Sequence, residues 1–536
     1  MDFEKSRRDG DMIRRTRRAP LAVAAVLLFL AVAGCTDTTV EPKSTITDAN
    51  VFNDAGSYRA FLARIYTGLA VSGQQGAAGR PDIQGIDEGF SQYLRLYWEA
   101  QELPTDAAVI GWGDVGLPEM NTQLWAASNS FVVAMYYRIF FQVGMANEFL
   151  RQTSDARLSE RGVSGTLRTQ IQQYRAEARF LRALSYWHGI DLFGNIPLVT
   201  ENDALGSTPP TQSTRAEIFN FVVTELNEIR GSLPAAGAST YGRANPAAAS
   251  MLLAKLYMNA AVYAGSERWS DARAAVEQVI SAGFSLDDRY RDIFLADNHT
   301  SPEIIFPVAQ DGLKTQTWGG MTFLVHASVG GNMNAGDFGI DGGWWGLRLK
   351  PQAYRLYGAG DRRASFFVTS GQSVEIPSIG DFFAGIPAPK YSNVTSSGAR
   401  GSHATHVDTD FPMFRLSDAY LMYAEAHLRG GGGNRAQALA YVNALRQRAY
   451  GNTNGNITDS QLTLDFILDE RGRELLWEGH RRTDLVRFGR FTGGSYVWAW
   501  KGGVAAGRTT EDFRRLYPIP ASELVANPNL KQNAGY

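Results

Sequence analysis

The sequence predicts a mostly α-helical fold of stacked helical hairpins, interrupted by long irregular insertions. Three observations support this fold class. Apolar residues recur at helical spacing, capping residues precede those stripes, and glycine-rich stretches containing tryptophan separate them. A chain of 536 residues with 44% hydrophobic side chains can bury a large core. Packing has to stabilise that core, because a chain with one cysteine cannot form an internal disulfide.

The predicted helices form consecutive pairs, which are 170–190 with 214–231, 246–264 with 270–282, and 416–429 with 434–450. Thr214 and Glu217 have the spacing of a capping box, and Asn245-Pro246 supplies a cap and a first-turn proline. The other predicted helix ends are caps at Ser270 and Asn434 and terminating glycines at Gly283 and Gly451. Hairpins repeated with different sequences are typical of degenerate tetratricopeptide-like units, whose stacked neighbours complete each other's core.

Two long regions, 72–128 and 311–411, lack sustained helical spacing and are rich in glycine, proline, asparagine and tryptophan. Loops of this length are uncommon in compact domains unless they carry a function. Flat aromatic faces suit the C–H face of a sugar ring, and neighbouring carboxylates suit its hydroxyl groups. The candidate ligand-binding residues in these regions are Trp112, Asp114, Trp318, Asp341, Trp344 and Trp345.

Each of these tryptophans could instead belong to the core of an ordered loop layer. Adjacent residues of an extended chain point in opposite directions, so at most one of Trp344 and Trp345 is expected to reach a ligand. The tryptophans expected to pack inside the protein are Trp125, Trp187, Trp269, Trp477, Trp498 and Trp500.

Other polar clusters carry weaker signals. Charged residues between 469 and 482 could be mistaken for a catalytic cluster, but their helical spacing favours framework ion pairs. His403 and His406 are too few ligands for a typical zinc site. No nucleophile elbow or phosphate-binding loop follows a convincing strand. The sequence therefore predicts no catalytic residue, cofactor or metal, and it leaves open whether loop carboxylates bind a calcium ion.

The N-terminal 34 residues have the pattern of a secretory signal. Four arginines between positions 14 and 18 precede an apolar run of 15 residues, 20–34, which is too short to span a bilayer as a helix. Cys35 follows Ala-Gly, as in a bacterial lipobox, in which the thiol is acylated and becomes the first mature residue. A plain signal peptide that contains a cysteine is the alternative. The start codon is Met1 or Met12.

The predicted organisation is a signal peptide (1–34), a lipid-anchored flexible tether (35–50), an N-terminal helical region (51–310) and a C-terminal region (311–536) with a loop insertion (311–411). Removing the signal leaves 45 of the 52 basic and 50 of the 54 acidic side chains, a net charge near −5. Nucleic acid is therefore not an expected partner. Membrane attachment is expected to come from acyl chains on Cys35.

Four blocks carry a resemblance to a known family. They read YRAEARFLRALSYWHGIDLFGNIPLV at 174–199, RLSDAYLMYAEAHLRGGGGNRAQALAYVNALRQRA at 415–449, ILDERGRELLWEGHRRTDLVRF at 467–488 and LYPIPASELVANPNLKQNAGY at the end of the chain. In this order, behind a lipobox, they closely resemble the SusD/RagB family of outer-membrane nutrient-binding lipoproteins. The resemblance runs from about residue 50 to the terminus.

The resemblance implies four tetratricopeptide-like helix pairs with long insertions on the opposite side. It also implies a non-catalytic protein at the cell surface, which covers a SusC-like TonB-dependent transporter and captures oligosaccharides or, in some members, peptides. Two alternatives stay open. One is a pure scaffold without its own ligand. The other is a surface glycosidase that uses two of the acidic residues Asp82, Asp87, Glu88, Asp106 and Asp114.

We expect Cys35→Ser to abolish lipid attachment, because the serine hydroxyl does not replace the thiol as the acylation site. Mass spectrometry of the N-terminal peptide and fractionation of cell membranes measure this. Thr39→Ala, in the predicted tether, should leave attachment unchanged. An unmodified, internal Cys35 in cytosolic wild-type protein would refute the lipobox interpretation.

Overall fold

The computed structural model describes residues 52, 54–204, 206 and 208–536. The predicted signal peptide, Cys35 and the predicted tether lie outside these residues. Residues 58–536 form one compact unit. A search of the described residues finds no helix with both the length and the apolar character needed to cross a membrane.

The unit is mostly helical, as the sequence predicts. In chain order the helices are α1 (Ala55–Thr67), α2 (Tyr93–Glu102), α3 (Leu117–Thr122), α4 (Ser130–Gln152), α5 (Asp155–Glu160), α6 (Gly165–Leu192), α7 (Arg215–Ile229), α8 (Pro246–Met258), α9 (Ala260–Ala264), α10 (Trp269–Ile280), α11 (Gly320–Ala327), α12 (Pro351–Tyr354), α13 (Leu416–Leu428), α14 (Arg435–Tyr450), α15 (Leu464–Glu474), α16 (Arg481–Arg487) and α17 (Ala521–Ala526).

The three predicted hairpins are present and stacked. Helix α6 packs on α7, α8 on α10, and α13 on α14. Helix α6 also packs on α4, and α10 also packs on α13, so consecutive hairpins share helix faces. The buried stripes Ile218, Val222, Leu226 and Ile229 on α7 and Ala438, Val442, Leu445 and Ala449 on α14 explain this packing, since each leaves one apolar face for a neighbour.

Local capping chemistry sets several of the helix ends. Thr214 and Glu217 form the predicted capping box, and the side chains of Asn245 and Asn434 accept hydrogen bonds from the first turns of α8 and α14. The predicted cap at Ser270 is wrong, because α10 already begins at Trp269 and has no side-chain cap. The helix also ends at Ile280, ahead of the predicted Gly283.

Three two-stranded antiparallel sheets occur among the described residues. Strand β1 (Val109–Ile110) pairs with β5 (Leu347–Arg348), β2 (Ile196–Pro197) with β3 (Gln212–Ser213), and β4 (Ile304–Val308) with β6 (Phe411–Arg415). The first pairing joins the two regions that the sequence marks as irregular. The pairing of β4 with β6 brings the two ends of region 311–411 together, because these strands flank the region.

The first irregular region is more ordered than its composition suggests. Helix α2 lies within it, and every residue of that helix is buried. The indole of Trp98 donates to the carbonyl oxygen of Trp477 at 2.9 Å. The hydroxyl of Tyr97 donates to the carbonyl oxygen of Gly479, also at 2.9 Å. Arg95, Glu99 and Glu102 give this helix a polar face at helical spacing, but that face is buried too, so the local sequence does not reveal that the helix is buried on all sides.

Buried ion pairs tie the second irregular region to the helices. Arg415, at the end of β6, binds Glu474 at 2.8 Å and Glu478 at 2.6 Å. Arg363 reaches Glu474 from the insertion at 2.9 Å, and Lys390 reaches Glu478 at 2.5 Å. All five side chains are buried. The charges of the 469–482 segment that enter this cluster therefore serve the framework, as their spacing indicates.

Glu474 holds the centre of this cluster. Burial alone would raise its pKa, but the guanidinium groups of Arg448, Arg415 and Arg363 lower it well below the ordinary carboxyl value. A carboxylate with a lowered pKa stabilises the fold above its unfolded-state pKa, and the contribution is lost as the pH falls through the folded-state pKa.

We expect Glu474→Gln to lower the free energy of unfolding by about 3–5 kcal/mol at pH 7, because it leaves buried guanidinium groups uncompensated. Denaturant titration followed by circular dichroism measures this. The difference from wild type should shrink as the pH falls below about 4.5, where wild-type Glu474 begins to lose the advantage of its charge.

The exposed pair between Arg355 and Glu375 supplies a matched control. Glu375→Gln should change the free energy of unfolding by no more than about 0.5 kcal/mol, because solvent screens that pair. Equal effects of the two substitutions would contradict the role assigned to Glu474.

Candidate ligand-binding site

The pairing of β1 with β5 brings the two irregular regions together. Val109 lies opposite Arg348 and Ile110 opposite Leu347, and the amide of Gly111 donates to the carbonyl oxygen of Gly346 at 3.1 Å. Trp112 follows directly, so its indole nitrogen reaches the carbonyl oxygen of Trp344 at 3.2 Å. A two-residue ladder thus sets two predicted site residues side by side although they are 232 positions apart.

A second link between the two regions positions Trp318. The buried carboxylate of Glu88 accepts hydrogen bonds from the Thr317 hydroxyl at 2.7 Å and from the Trp318 amide at 3.1 Å. A Cβ added at Gly89 would lie 2.8 Å from the Cβ of Trp318, so only glycine permits this close approach. The backbone of Trp318 is therefore fixed while the residue stays 37% exposed.

Five rings form a continuous aromatic arc, defined here as Trp112, Trp344, Trp318, His406 and His403. Successive ring centroids along this order are 6.3, 6.0, 5.3 and 5.2 Å apart. The three indoles are tilted by 46° and 47° relative to their neighbours, so the arc is curved rather than flat. His406 is buried, but the three indoles are partly exposed, and their curved arrangement suits a chain of linked sugar rings better than one planar ligand.

His326 on α11 supports the middle of the arc. Its imidazole stacks on the Trp344 indole with centroids 4.6 Å apart and planes at 26°. The two ring nitrogens lie 2.6 Å from the Gly342 carbonyl oxygen and 2.8 Å from that of Thr405. Burial lowers the pKa of His326, and the neutral ring that this favours has a single N–H, so it donates to only one of these two carbonyl oxygens at a time. This histidine therefore braces the loop at 342–344 against the loop at 405.

Arg95 supports the Trp112 end of the arc from below. Its guanidinium lies 4.0 Å from the Phe323 ring centroid and 5.6 Å from that of Trp112, and its Nε donates to Glu99 at 2.9 Å. Burial raises the pKa of Glu99 to about 7 although the Arg95 guanidinium opposes the shift, and the charge of Asp114 adds a smaller increase. Within the part of the chain that the structure describes, Arg95 Nη2 and Glu99 Oε2 have no hydrogen-bond partner.

The two predicted acidic site residues differ in their surroundings. Asp114 lies two residues after Trp112 and is partly exposed, so its carboxylate can accept hydrogen bonds from a ligand's hydroxyl groups. Asp341 is exposed, but its carboxylate accepts the Thr405 hydroxyl, and its amide donates to the Ala404 carbonyl oxygen at 3.1 Å. These two hydrogen bonds attach Asp341 to the loop at 404–405, beside the arc.

Trp345 lies apart from the arc. Its φ of +57° is left-handed, and its ring packs against Phe382 and Phe383 with centroid distances of 5.6 and 6.2 Å. Trp344 and Trp345 thus have different ring partners. The sequence predicts that an extended backbone directs these two side chains to opposite sides. In the structure, the left-handed backbone at Trp345 separates the two rings instead.

The remaining tryptophans that were expected to pack are buried or anchored. Trp125, Trp187, Trp269, Trp477 and Trp498 are buried, and Trp500 donates from its indole to the Ile376 carbonyl oxygen at 2.8 Å. Trp498 lies outside any regular element, and residues 499–500 form a turn that precedes a short 3₁₀ segment, Lys501–Gly503, so this stretch is not a strand. No group of three or more metal-ligating side chains is present among the residues described.

Sequence reasoning missed His326, Arg95 and the histidine end of the arc as parts of the site. His326 lies in the apolar segment GMTFLVHA, where nothing in the local sequence distinguishes a bracing ring from a core histidine. His403 and His406 attracted attention only as poor zinc ligands. Their association with Trp318 depends on a contact between residues 88 positions apart, which local sequence cannot reveal.

Fold and site together define a helical-repeat protein that presents an aromatic surface on its insertions. Residues 369–536 match the model of the SusD family. Starch-binding protein SusD of Bacteroides thetaiotaomicron is 33% identical over 525 residues, which cover 88% of this chain and 91% of that protein. The chain therefore belongs to the SusD family.

Solved structures share the architecture. Surface glycan-binding protein A from Bacteroides fluxus superposes with a TM-score of 0.69 at 25% identity, covering 90% of this chain and 99% of that one. Surface glycan-binding protein A from Bacteroides thetaiotaomicron, in complex with laminarihexaose, superposes with a TM-score of 0.69 at 21% identity, covering 89% and 99%. These structures confirm the helical fold, and the relatives are named as binding proteins.

We expect Gly346→Ala to displace the Trp112 indole, because a Cβ there would lie 2.7 Å from its ring. Overpacking of this kind costs about 1–3 kcal/mol and should change the near-ultraviolet circular dichroism of the tryptophans. Gly113→Ala is the matched control, because a Cβ at that glycine meets no atom within 4 Å. Identical spectra for both variants and wild type would contradict the described packing.

Proposed function

We propose that this protein binds nutrient oligosaccharides at the aromatic arc. The observation that carries the proposal is the continuous series of the Trp112, Trp344 and Trp318 rings, held in place by contacts between two distant regions. Aromatic faces stack on the C–H faces of sugars, and the partly exposed Asp114 supplies a hydrogen-bond acceptor beside them. Starch-binding protein SusD, at 33% identity, supports this ligand class.

The contacts of the acidic residues near the arc favour ligand binding without catalysis. A glycosidase needs two carboxyl groups that flank the bond it cleaves. Glu88 is occupied by Thr317 and Trp318, and Asp106 is buried against Arg481 at 2.6 Å. Asp82 pairs with Arg64 and Arg138. These engagements favour structural roles for three of the five candidate carboxylates.

Delivery to a partner TonB-dependent transporter of the SusC type is also proposed, on the strength of family membership. The lipid anchor on Cys35 would keep the protein at the outer membrane, with residues 1–34 removed as a signal and 35–50 acting as a tether. The regions 51–310 and 311–536 are proposed as its N-terminal and C-terminal parts. A scaffold that covers the transporter without its own ligand is the second candidate, since stacked helical hairpins commonly bind other chains.

We expect Trp112→Ala and Trp318→Ala each to weaken oligosaccharide binding about tenfold or more, because each removes one aromatic stacking face. Isothermal titration calorimetry against maltooligosaccharides, laminarioligosaccharides, other glycans and peptides measures this. Val525→Ala, which truncates an exposed apolar side chain of α17, should leave affinity unchanged.

The same protein preparations discriminate between the candidate functions. Unchanged affinity in both tryptophan variants would refute the site. Release of reducing ends from a bound glycan would establish a glycosidase. A wild-type protein that binds no glycan or peptide but co-purifies with a transporter would establish the scaffold.

A further inference from the structure

One buried asparagine joins loops that carry the arc. Asn393 is fully buried, and its side-chain amide donates to the carbonyl oxygens of Gly339 at 3.1 Å and His403 at 2.8 Å. Its side-chain oxygen accepts the backbone amide of Asp408 at 3.0 Å. These partners fix the orientation of the side chain, because a carbonyl oxygen only accepts and a backbone N–H only donates. One side chain thus connects three segments that lie 54, 10 and 15 positions away along the chain.

The backbone of Asn393 adds to the same junction. Its amide donates to the carbonyl oxygen of Phe338 at 2.9 Å, and its carbonyl oxygen accepts the Gly401 amide at 2.8 Å. A Cβ added at Gly339 would overlap the Asn393 carbonyl oxygen, and a Cβ added at Gly401 would overlap its side-chain oxygen. Two neighbouring segments therefore approach Asn393 at positions where only glycine permits the contact.

We call residues 401–408 the bracing loop. The loop contains no helix or strand, so hydrogen bonds to other parts of the chain have to fix its path. Asn393 bonds to both of its ends. The Asp408 carboxylate closes the loop on itself by accepting the Ser402 amide at 2.5 Å and the Ser402 hydroxyl at 2.7 Å. The same carboxylate accepts the Gly312 amide at 2.7 Å, which attaches the loop to the start of the second irregular region.

The bracing loop reaches two indoles of the arc, one through its own ring and one through His326. The centroid of the His406 ring lies 5.3 Å from that of Trp318. The Thr405 carbonyl oxygen lies 2.8 Å from Nε2 of His326, whose ring stacks on Trp344. A single loop therefore connects two indoles that lie on separate segments of the chain.

We propose that Asn393 is a positioning residue of the candidate site, because it fixes the bracing loop and through that loop the relative positions of Trp318 and Trp344. The inference rests on the proposed function of the arc. Asn393 is too deeply buried to contact a ligand itself. An amide suits this position because it supplies two donors and one acceptor to three backbone groups. An aliphatic side chain would leave those buried groups without partners, at a cost in free energy for each.

We expect Asn393→Ala to weaken oligosaccharide binding about tenfold or more, because residues that orient binding groups from behind have effects of this size. All the aromatic rings remain, but the spacing on which their stacking depends is lost. Calorimetry with maltoheptaose and laminarihexaose measures the affinity at temperatures where far-ultraviolet circular dichroism shows the variant to be folded. The near-ultraviolet circular dichroism should also change, because Trp318 and Trp344 shift relative to neighbouring rings.

Asn393→Asp tests the amide donors themselves. The introduced carboxylate would face the carbonyl oxygens of Gly339 and His403 in a buried position, and both conditions raise the pKa of a carboxyl group. Protonation gives that group one hydroxyl donor, so affinity should recover in part as the pH falls from about 7.5 to about 5. Asn393→Ala adds no titrating group, so its affinity relative to wild type should stay constant over the same range.

Asn443→Ala is the matched control. The side chain of Asn443, on α14, exchanges two hydrogen bonds with the backbone of Ile457, at 3.1 and 2.8 Å, outside both irregular regions. This variant should lower the free energy of unfolding and leave affinity unchanged. Asp408→Asn acts on a half-exposed residue of the bracing loop and decides the question if Asn393→Ala does not fold. Either orientation of its amide leaves one backbone N–H without an acceptor, so a smaller loss of affinity is expected.

Full affinity and an unchanged near-ultraviolet spectrum in folded Asn393→Ala would overturn the inference. Equal losses of affinity in Asn443→Ala and Asn393→Ala would also overturn it, because general destabilisation would then explain both. A constant affinity deficit of Asn393→Asp across the pH range would contradict the role assigned to the amide donors. Wild-type protein that binds no glycan would refute the proposed function of the arc, and the near-ultraviolet spectra would still decide whether Asn393 fixes its rings.

Discussion

The buried charge cluster around Glu474 is the interaction on which the rest of the structure depends. Region 311–411 has little regular secondary structure of its own, so it needs tertiary contacts to fix its path. Arg363 and Lys390 supply them from within the region, and Arg415 supplies them at its end. Because unpaired buried charges are so costly, the partners are held to one arrangement. That arrangement gives the loop a definite position relative to the helical stack.

Once the insertion is fixed, short polar and backbone contacts suffice to assemble the arc. A two-residue ladder sets Trp112 against Trp344, and one buried carboxylate, Glu88, fixes the backbone at Trp318. Each contact joins residues from different regions. The arc is thus a property of the interface between the two insertions, and neither insertion alone could present it. The scaffold and the candidate site are therefore built from different parts of the chain. The loop surface can vary while the helical hairpins keep their packing.

The candidate site could be located only in part from the sequence. Trp112 and Trp318 stand between glycine and polar residues, a setting that marks an indole unlike the core tryptophans on helices. Asp341 also stands among glycines beside the tryptophans, yet its carboxylate accepts a hydrogen bond from Thr405, which is 64 positions away. His326 and Arg95 carry no local mark at all, because their roles come from the rings stacked on them. The left-handed backbone that separates Trp345 from Trp344 is likewise a tertiary outcome.

The sequence by itself determined the helical class, the hairpin pairs and most caps, because helical spacing and capping chemistry operate within a few residues along the chain. It also marked 72–128 and 311–411 as rich in glycine and tryptophan, although the first of them contains the helices α2 and α3. Only the tertiary structure decided which rings meet, which carboxylates are occupied and that helix α2 is buried on all sides. The physical reason is separation along the chain: the contact between Trp112 and Trp344 spans 232 positions, and no local pattern encodes such a pairing.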